Sequence, residues 1–281
     1  MKSLVLCADD FGYTDAACAA IVDLAARGRL SATSVMTDGP ALARWLPRLR
    51  ASGLSLGLHL NFTDALPGAL AWSLGDVIAR SYTGRLDRRA IAADIARQLD
   101  ACAAAIGCTP DYIDGHQHVH QLPIVREALL AALAERGWKP ALRSTRPAGW
   151  RGAKAAVIAG LGAAALGRMA RRAGLRMNAD FDGVYAFDER EPYRALMRRW
   201  LARCGDGGLV MCHPGMAGAP ATGAGGMPSA GALSASGTAA ALASVADPIA
   251  AARLREHAYL ASDDFAADLA DAGARLVPFG G

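Results

Sequence analysis

Short apolar runs alternate with longer amphipathic stretches along this chain. Residues 3–8 read as a buried strand, and a helical pattern over 14–27 follows, which Gly28 would end. The same alternation predicts strands at 32–36, 54–60, 112–114 and 141–144, with helices at 41–50, 88–106 and 123–136 between and after them. Beyond these the order loosens: an Ala/Gly-rich helical segment at 153–174, a strand at 183–187 and a helix at 192–204. A clear strand at 209–212, a closing helix over 249–272 and a last strand at 275–279 complete the pattern. Largely apolar strands separated by helices indicate a parallel sheet covered by helices, either closed as a barrel or open and doubly wound. No GxGxxG or GxxxxGK[ST] follows any strand, which removes the commonest reason to prefer the open form.

Residues 216–246 break the pattern. They are almost entirely Ala, Gly, Ser, Pro and Thr, have few large side chains to bury, and are expected to form a flexible loop within a single domain spanning 1–281. The loop begins three residues after His213, and long loops on barrels often cover active sites.

Composition narrows the partners. Thirty basic residues against 26 acidic ones give a net charge of +4, and apart from Arg168, Arg171, Arg172 and Arg176 they are dispersed. Without a basic stripe interleaved with aromatics, nucleic acid is not expected as a partner. The six cysteines form no CxxC pair and read as reduced, mostly buried residues. The apolar run before Asp9 is too short for a signal peptide, and the uncharged stretch 155–167 is broken by glycines and short of a membrane span. A soluble, cytoplasmic protein with no membrane partner is expected, its oligomeric state left open.

The polar residues fall where the strands end. Leu-Val-Leu-Cys-Ala runs into Asp9-Asp10, Leu-Ser-Leu-Gly-Leu into His59, Tyr-Ile into Asp114-Gly-His116-Gln-His118-Val-His120, and Leu-Val-Met-Cys into His213. In a parallel barrel those carboxyl ends meet at one rim, where active sites are built. Singly, each has an ordinary explanation: an Asp after a strand caps a turn, and a lone His satisfies a polar neighbour. Adjacent strand residues also point to opposite faces, so Asp9 and Asp10 can serve one site only if the strand ends between them, a turn that Gly12 permits. Three histidines at period two share a face while the chain is extended. Together the ligand types suit zinc or a similar divalent ion.

Ala8-Asp-Asp-Phe-Gly12, Gly57-Leu-His-Leu60, Asp114-Gly-His-Gln-His-Val-His120 and Cys212-His-Pro-Gly215 resemble the YdjC-like carbohydrate deacetylases, which include chitooligosaccharide deacetylase. The later Asp247-Pro248 with Arg253, Glu256 and Leu260 resembles the closing helix of that family, so the likeness covers nearly the whole chain. The 216–246 stretch departs from it. The resemblance implies an α/β fold: a distorted, TIM-like β/α barrel of parallel strands related to polysaccharide deacetylases. It also implies one divalent ion, magnesium or zinc, on Asp10, His59 and His116, with Asp9 as general base and His213, as imidazolium, the general acid. Arg143 matches an arginine that orients the base, and Arg143 and His120 are expected beside the substrate. That substrate would be an acetylated amino sugar or short oligosaccharide, with Trp72, Tyr82, Trp150, Phe181 and Tyr185 as candidate ring platforms. A barrel metallo-phosphoesterase or sugar isomerase, and a non-catalytic carbohydrate-binding barrel, are the alternatives.

Overall fold

The computed structural model describes residues 1–66, 70–218 and 247–280; the expected loop at 216–246 lies, from 219 on, outside them. The chain opens with β1 (Lys2–Phe11), whose even and odd positions have different fates. Leu4, Leu6 and Ala8 pack outward against helical residues such as Ile21, Leu24, Met197 and Trp200. Val5 and Cys7 join Ala32, Tyr112, Ala141, Phe181, Leu209 and Met211, side chains from six strands that meet in the sheet's interior. That two-residue alternation is what one closed layer inside another demands.

After α1 (Asp15–Ala26) the sheet grows to one side through β2 (Ala32–Val35), β3 (Ser55–Leu60), β4 (Tyr112–Gly115) and β5 (Ala141–Leu142), all parallel. On the other side of β1 lie β7 (Gly208–Cys212) and then β6 (Phe181–Asp182). The ring is completed thinly by residues 176–182. Leu142 donates to the Arg176 carbonyl at 2.9 Å and bridges Met177, while Phe181 and Asp182 pair with Leu209 and Val210 on β7. A single bridge on one flank and two pairs on the other make the barrel irregular there.

Helices α2 (Leu42–Arg50), α4 (Arg88–Ile106), α5 (Val125–Arg136) and α8 (Tyr193–Arg203) lie close to their expected bounds. Asp87 caps α4 by accepting from the amides of Arg89 and Ala90, and left-handed Gly107 ends it. Four features differ from expectation. Leu74–Tyr82 forms a further helix, α3, capped by Ser73. The 153–174 segment is two helices, α6 (Ala153–Gly160) and α7 (Ala163–Arg172), parted at Gly162, where a Cβ would stand 2.2 Å from the Gln121 carbonyl oxygen. The strand expected at 183–187 sits at β6 instead, immediately before Gly183. The closing helix is also divided, into α9 (Ala250–Leu260) and α10 (Asp263–Asp271), because Ser262-Asp263-Asp264 offers a fresh helix start. Among the described residues no single helix is long and apolar enough to cross a membrane.

β8 (Ala274–Leu276) pairs with the first residues of β1, Lys2–Leu4. The tail then passes under the barrel, where Phe279 stacks 4.7 Å from Tyr112. Tyr112 itself needs the space above Gly57, whose Cβ would fall 2.3 Å from its ring.

Candidate active site

Asp9 and Asp10 reach one site through an irregularity in β1. Ala8 pairs with Thr33 and Phe11 with Val35, so two residues of β1 stand opposite Ser34 alone. Asp10 takes the left-handed conformation, φ 68°, and this bulge turns its side chain to the same end of the barrel as that of Asp9. Gly12, credited with that task by sequence reasoning, makes the next turn. At φ +100° it packs so closely that a Cβ would lie 2.9 Å from the Met36 carbonyl oxygen.

Asp9 belongs to a sealed network. Arg143, fully buried, donates from Nη1 to Asp9 Oδ2 at 2.6 Å and from Nη2 to Oδ1 at 2.5 Å, and it also pairs with Asp114 Oδ2 at 2.5 Å. Burial alone would raise the Asp9 carboxyl, but the guanidinium overrides it and holds the group well below the usual carboxylate range. Cys7, Asp9 and Asp114 have potential ligand atoms within 4.8 Å of one another. Arg143 already supplies that cluster's cation, and burial pushes the Cys7 thiol up to about 12, far from thiolate. Arg143 and His120, expected beside the substrate, line no part of the cleft. Arg143 is beneath Asp9, and His120 is turned inward with its Nε2 donating to the Arg143 carbonyl at 3.0 Å. Burial lowers the His120 pKa to about 4, so its ring is neutral.

Asp10 faces two imidazoles. Its Oδ1 is 3.3 Å from His59 Nε2 and 3.2 Å from His116 Nδ1. The far nitrogen of each ring has its own carboxylate: His59 Nδ1 meets Asp114 Oδ1 at 2.6 Å, and His116 Nε2 meets Asp64 Oδ2 at 3.2 Å. A carboxylate behind a ring fixes its tautomer and turns the other nitrogen's lone pair forward. Donor atoms about 2.0–2.2 Å from a zinc-like ion stand roughly 3–3.5 Å apart, so this trio fits a divalent cation. Electrostatics agree. Burial would lower both histidines, yet Asp114 and Asp10 raise His59 to about 10, and Asp10 and Asp64 raise His116 to about 9. Without a metal the cluster takes up protons instead.

The three period-two histidines do not share a face. After Gly115 the chain enters a 3₁₀ turn over His116–Gln121 in which Gln117 (φ 51°) and His118 (φ 62°) are left-handed. That turn leaves only His116 in the trio, sets His118 edge-on to Phe181 at 5.7 Å, and sends His120 inward. His213, at the end of β7, has Nε2 3.8 Å from Asp9 Oδ2. Its backbone amide donates to Glu256 Oε2 at 2.5 Å, while Tyr185 donates to Glu256 Oε1 at 2.6 Å. Burial pushes the His213 ring down to about 4, so it is neutral at rest. The imidazolium expected of a general acid is thus a form that this ring reaches only by taking up a proton.

These groups form one end of a cavity of about 610 Å³, walled by Tyr13, Leu74, Ile78, Val157, Leu161, Tyr185 and Phe187. Of the five candidate ring platforms only Tyr185 lines it. Sequence reasoning missed Asp64 and gave no role to Arg253, Glu256 and Asp247. Asp64 had a local signal: Asn61 Oδ1 accepts from the amides of Thr63 and Asp64, a turn that Asn favours.

A human carbohydrate deacetylase is 28% identical over 250 residues, 78% of this chain and 77% of that protein. A chitooligosaccharide deacetylase of Yersinia pestis is 32% identical over 143 residues, 47% of this chain and 56% of that one. Coverage is similarly partial for a zebrafish carbohydrate deacetylase, where the match spans 47% of its length. The crystal structure of a proposed cellobiose-phosphate cleavage protein from Enterococcus faecalis aligns with a TM-score of 0.65. That alignment covers 99% of this chain and 97% of the other at 18% identity, a likeness of fold alone. The profile of the YdjC-like proteins matches residues 3–271, which take in the bulged aspartates, both histidines of the trio, His213 and α9: this chain belongs to the YdjC-like protein family.

Proposed function

We propose that this protein is a divalent-metal-dependent hydrolase that removes the N-acetyl group from an acetylated amino sugar or a short oligosaccharide of such sugars. The names of the human and Yersinia relatives support the reaction class. The observation that carries the reading is the doubly backed trio. Both histidines of the Asp10, His59 and His116 trio have a carboxylate behind them and turn the other ring nitrogen toward Asp10, with Asp9 and His213 alongside.

A magnesium or zinc ion held by Asp10, His59 and His116 would polarise the acetyl carbonyl and acidify water. Asp9, kept ionised by Arg143, orients the attacking water and accepts its proton. So weak a base does not retain that proton, and neutral His213, 3.8 Å away, is the group that receives it. His213 then delivers it to the amide nitrogen as the C–N bond breaks, releasing acetate and the free amine. Arg143 acts through Asp9 and not on the substrate. A two-metal phosphoesterase is disfavoured because the neighbouring Cys7/Asp9/Asp114 cluster already holds a guanidinium.

All six cysteines are unpaired and five are buried, which supports a reducing compartment such as the cytoplasm. One sheet supplies the strand-end groups, which supports reading 1–281 as a single deacetylase domain. The test is acetate release from N-acetylglucosamine oligomers with and without a chelator. Release that a chelator abolishes and added metal restores is expected; no acetate from any acetylated amino sugar by the metal-loaded protein would overturn the proposal.

A further inference from the structure

Helix α9 reaches the site with a residue that the reaction above leaves unused. Arg253 is buried, donates from Nη2 to Asp10 Oδ2 at 2.6 Å, and donates from Nε to Asp247 Oδ2 at 2.6 Å. Its carbonyl accepts from the amide of Gly215 at 3.0 Å, and a Cβ on Gly215 would lie 2.8 Å from the Arg253 Cβ. The His213-Pro-Gly turn is thereby seated on the arginine. One turn further along the helix, Glu256 takes the His213 amide. A single helix thus touches both the carboxylate of the trio and the proton-handling histidine.

The two oxygens of Asp10 are divided. Oδ1 faces the two imidazoles, and Oδ2 is taken by a guanidinium that is itself anchored to Asp247. A carboxylate can offer a cation one oxygen or both, and a charged, two-point-anchored donor on the second oxygen selects the first option.

We propose that Arg253 is a positioning residue that holds Asp10 as a one-oxygen ligand, keeping a place at the ion open for substrate and water. This rests on the metal reading of Asp10, His59 and His116. A guanidinium beside a cation site also repels the cation. The arginine therefore works against metal affinity while it serves turnover, a combination that a merely structural residue does not show.

The test uses the full chain, stripped of metal, with zinc binding measured by calorimetry in the absence of sugar and acetate release measured separately. Arg253→Met is expected to bind zinc at least as tightly as the wild type, while kcat falls about 10–100-fold, the range typical of groups that orient metal ligands. Arg253→Lys keeps the charge beside Asp10 but not the planar fork. It is expected to recover part of kcat, with zinc affinity close to wild type. Lys also leaves no buried carboxylate uncompensated, so it remains informative if the Met variant fails to fold. Zinc affinity that falls in step with kcat in either variant, or full activity in the Lys variant, would overturn the assignment. A wild-type chain that takes up no zinc, magnesium or manganese overturns the metal reading itself, and this inference with it.

Discussion

Two acid clusters lie side by side at the end of this barrel, seeded by adjacent residues, and their charge is compensated in different ways. Around Asp9 the positive charge is permanent: Arg143 reaches Asp9 and Asp114 at once, and only Asp9 of the three borders the cavity. Around Asp10 the positive charge is supplied partly by Arg253 and partly by two imidazoles whose pKa values rise when no metal is present. Side-chain type does not distinguish them, since both offer three plausible ligand atoms within 4.8 Å. What does is whether a cation of the protein's own already occupies the middle. Asp114 touches both, with Oδ2 on Arg143 and Oδ1 on His59, so the cluster around Asp9 braces the one around Asp10.

The contrast breaks most completely if the cluster around Asp10 is not the metal site proposed above. His59→Ala should lose the bound divalent ion, read by metal analysis after dialysis, and acetate release should fall to background. Full metal occupancy in that variant would place the cation elsewhere. Asp9→Asn should instead keep the metal and lose turnover by about 10²–10⁴-fold, the usual worth of general acid–base help. Loss of metal there would merge the two clusters. For the sealed side, Arg143→Met strands two buried carboxylates and should cost about 3–5 kcal/mol in urea unfolding, whether or not metal is present. The bridge between the clusters is tested by Asp114→Asn, expected to weaken metal binding about 10–100-fold in a titration.

The smallest effect is a dependence on pH. His59 and His116 have folded-state pKa values raised to about 10 and about 9, above the ordinary 6.5. Their contribution to stability is therefore fully present below about pH 6.5 and is lost as pH rises through 9 to 10. Metal-free protein should melt at progressively lower temperature across that window. Saturating zinc or magnesium, which requires neutral imidazoles, should remove the decline. An unchanged slope with metal bound would mean that these two rings are not the ligands.

Much of this was legible because a parallel strand that ends in an Asp or His announces its own destination. Asp9, Asp10, His59, His116 and His213 meet at one rim for that reason. The bulge was not legible. A left-handed Asp10 is signalled only faintly, since Asp is merely enriched at positive φ, and Gly12 drew attention to the wrong residue. The 3₁₀ turn was hidden too, since Gln117 has no leaning toward positive φ and the modest one of His118 does not fix two left-handed residues in a row. Arg143 looked like a cleft residue because nothing local tells a buried guanidinium from an exposed one; its two carboxylates come from β1 and β4. Arg253 meets Asp10 across 243 positions, a separation at which no periodicity speaks.

The same long separations govern how the chain is assembled. β1 is made before the strands it pairs with, and Ser3 waits for Arg275, 272 positions later, before the β1–β8 pairing can form. At about 5–20 residues per second that interval is roughly 15–50 s of synthesis. For the first three quarters of it the strand bearing both aspartates has β2 but not β7 as a partner, and β8 comes only at its end. The strand that carries both aspartates is thus made before most of its partners and is among the last completed. Slow, non-local closure of this kind exposes an apolar strand edge to other nascent chains.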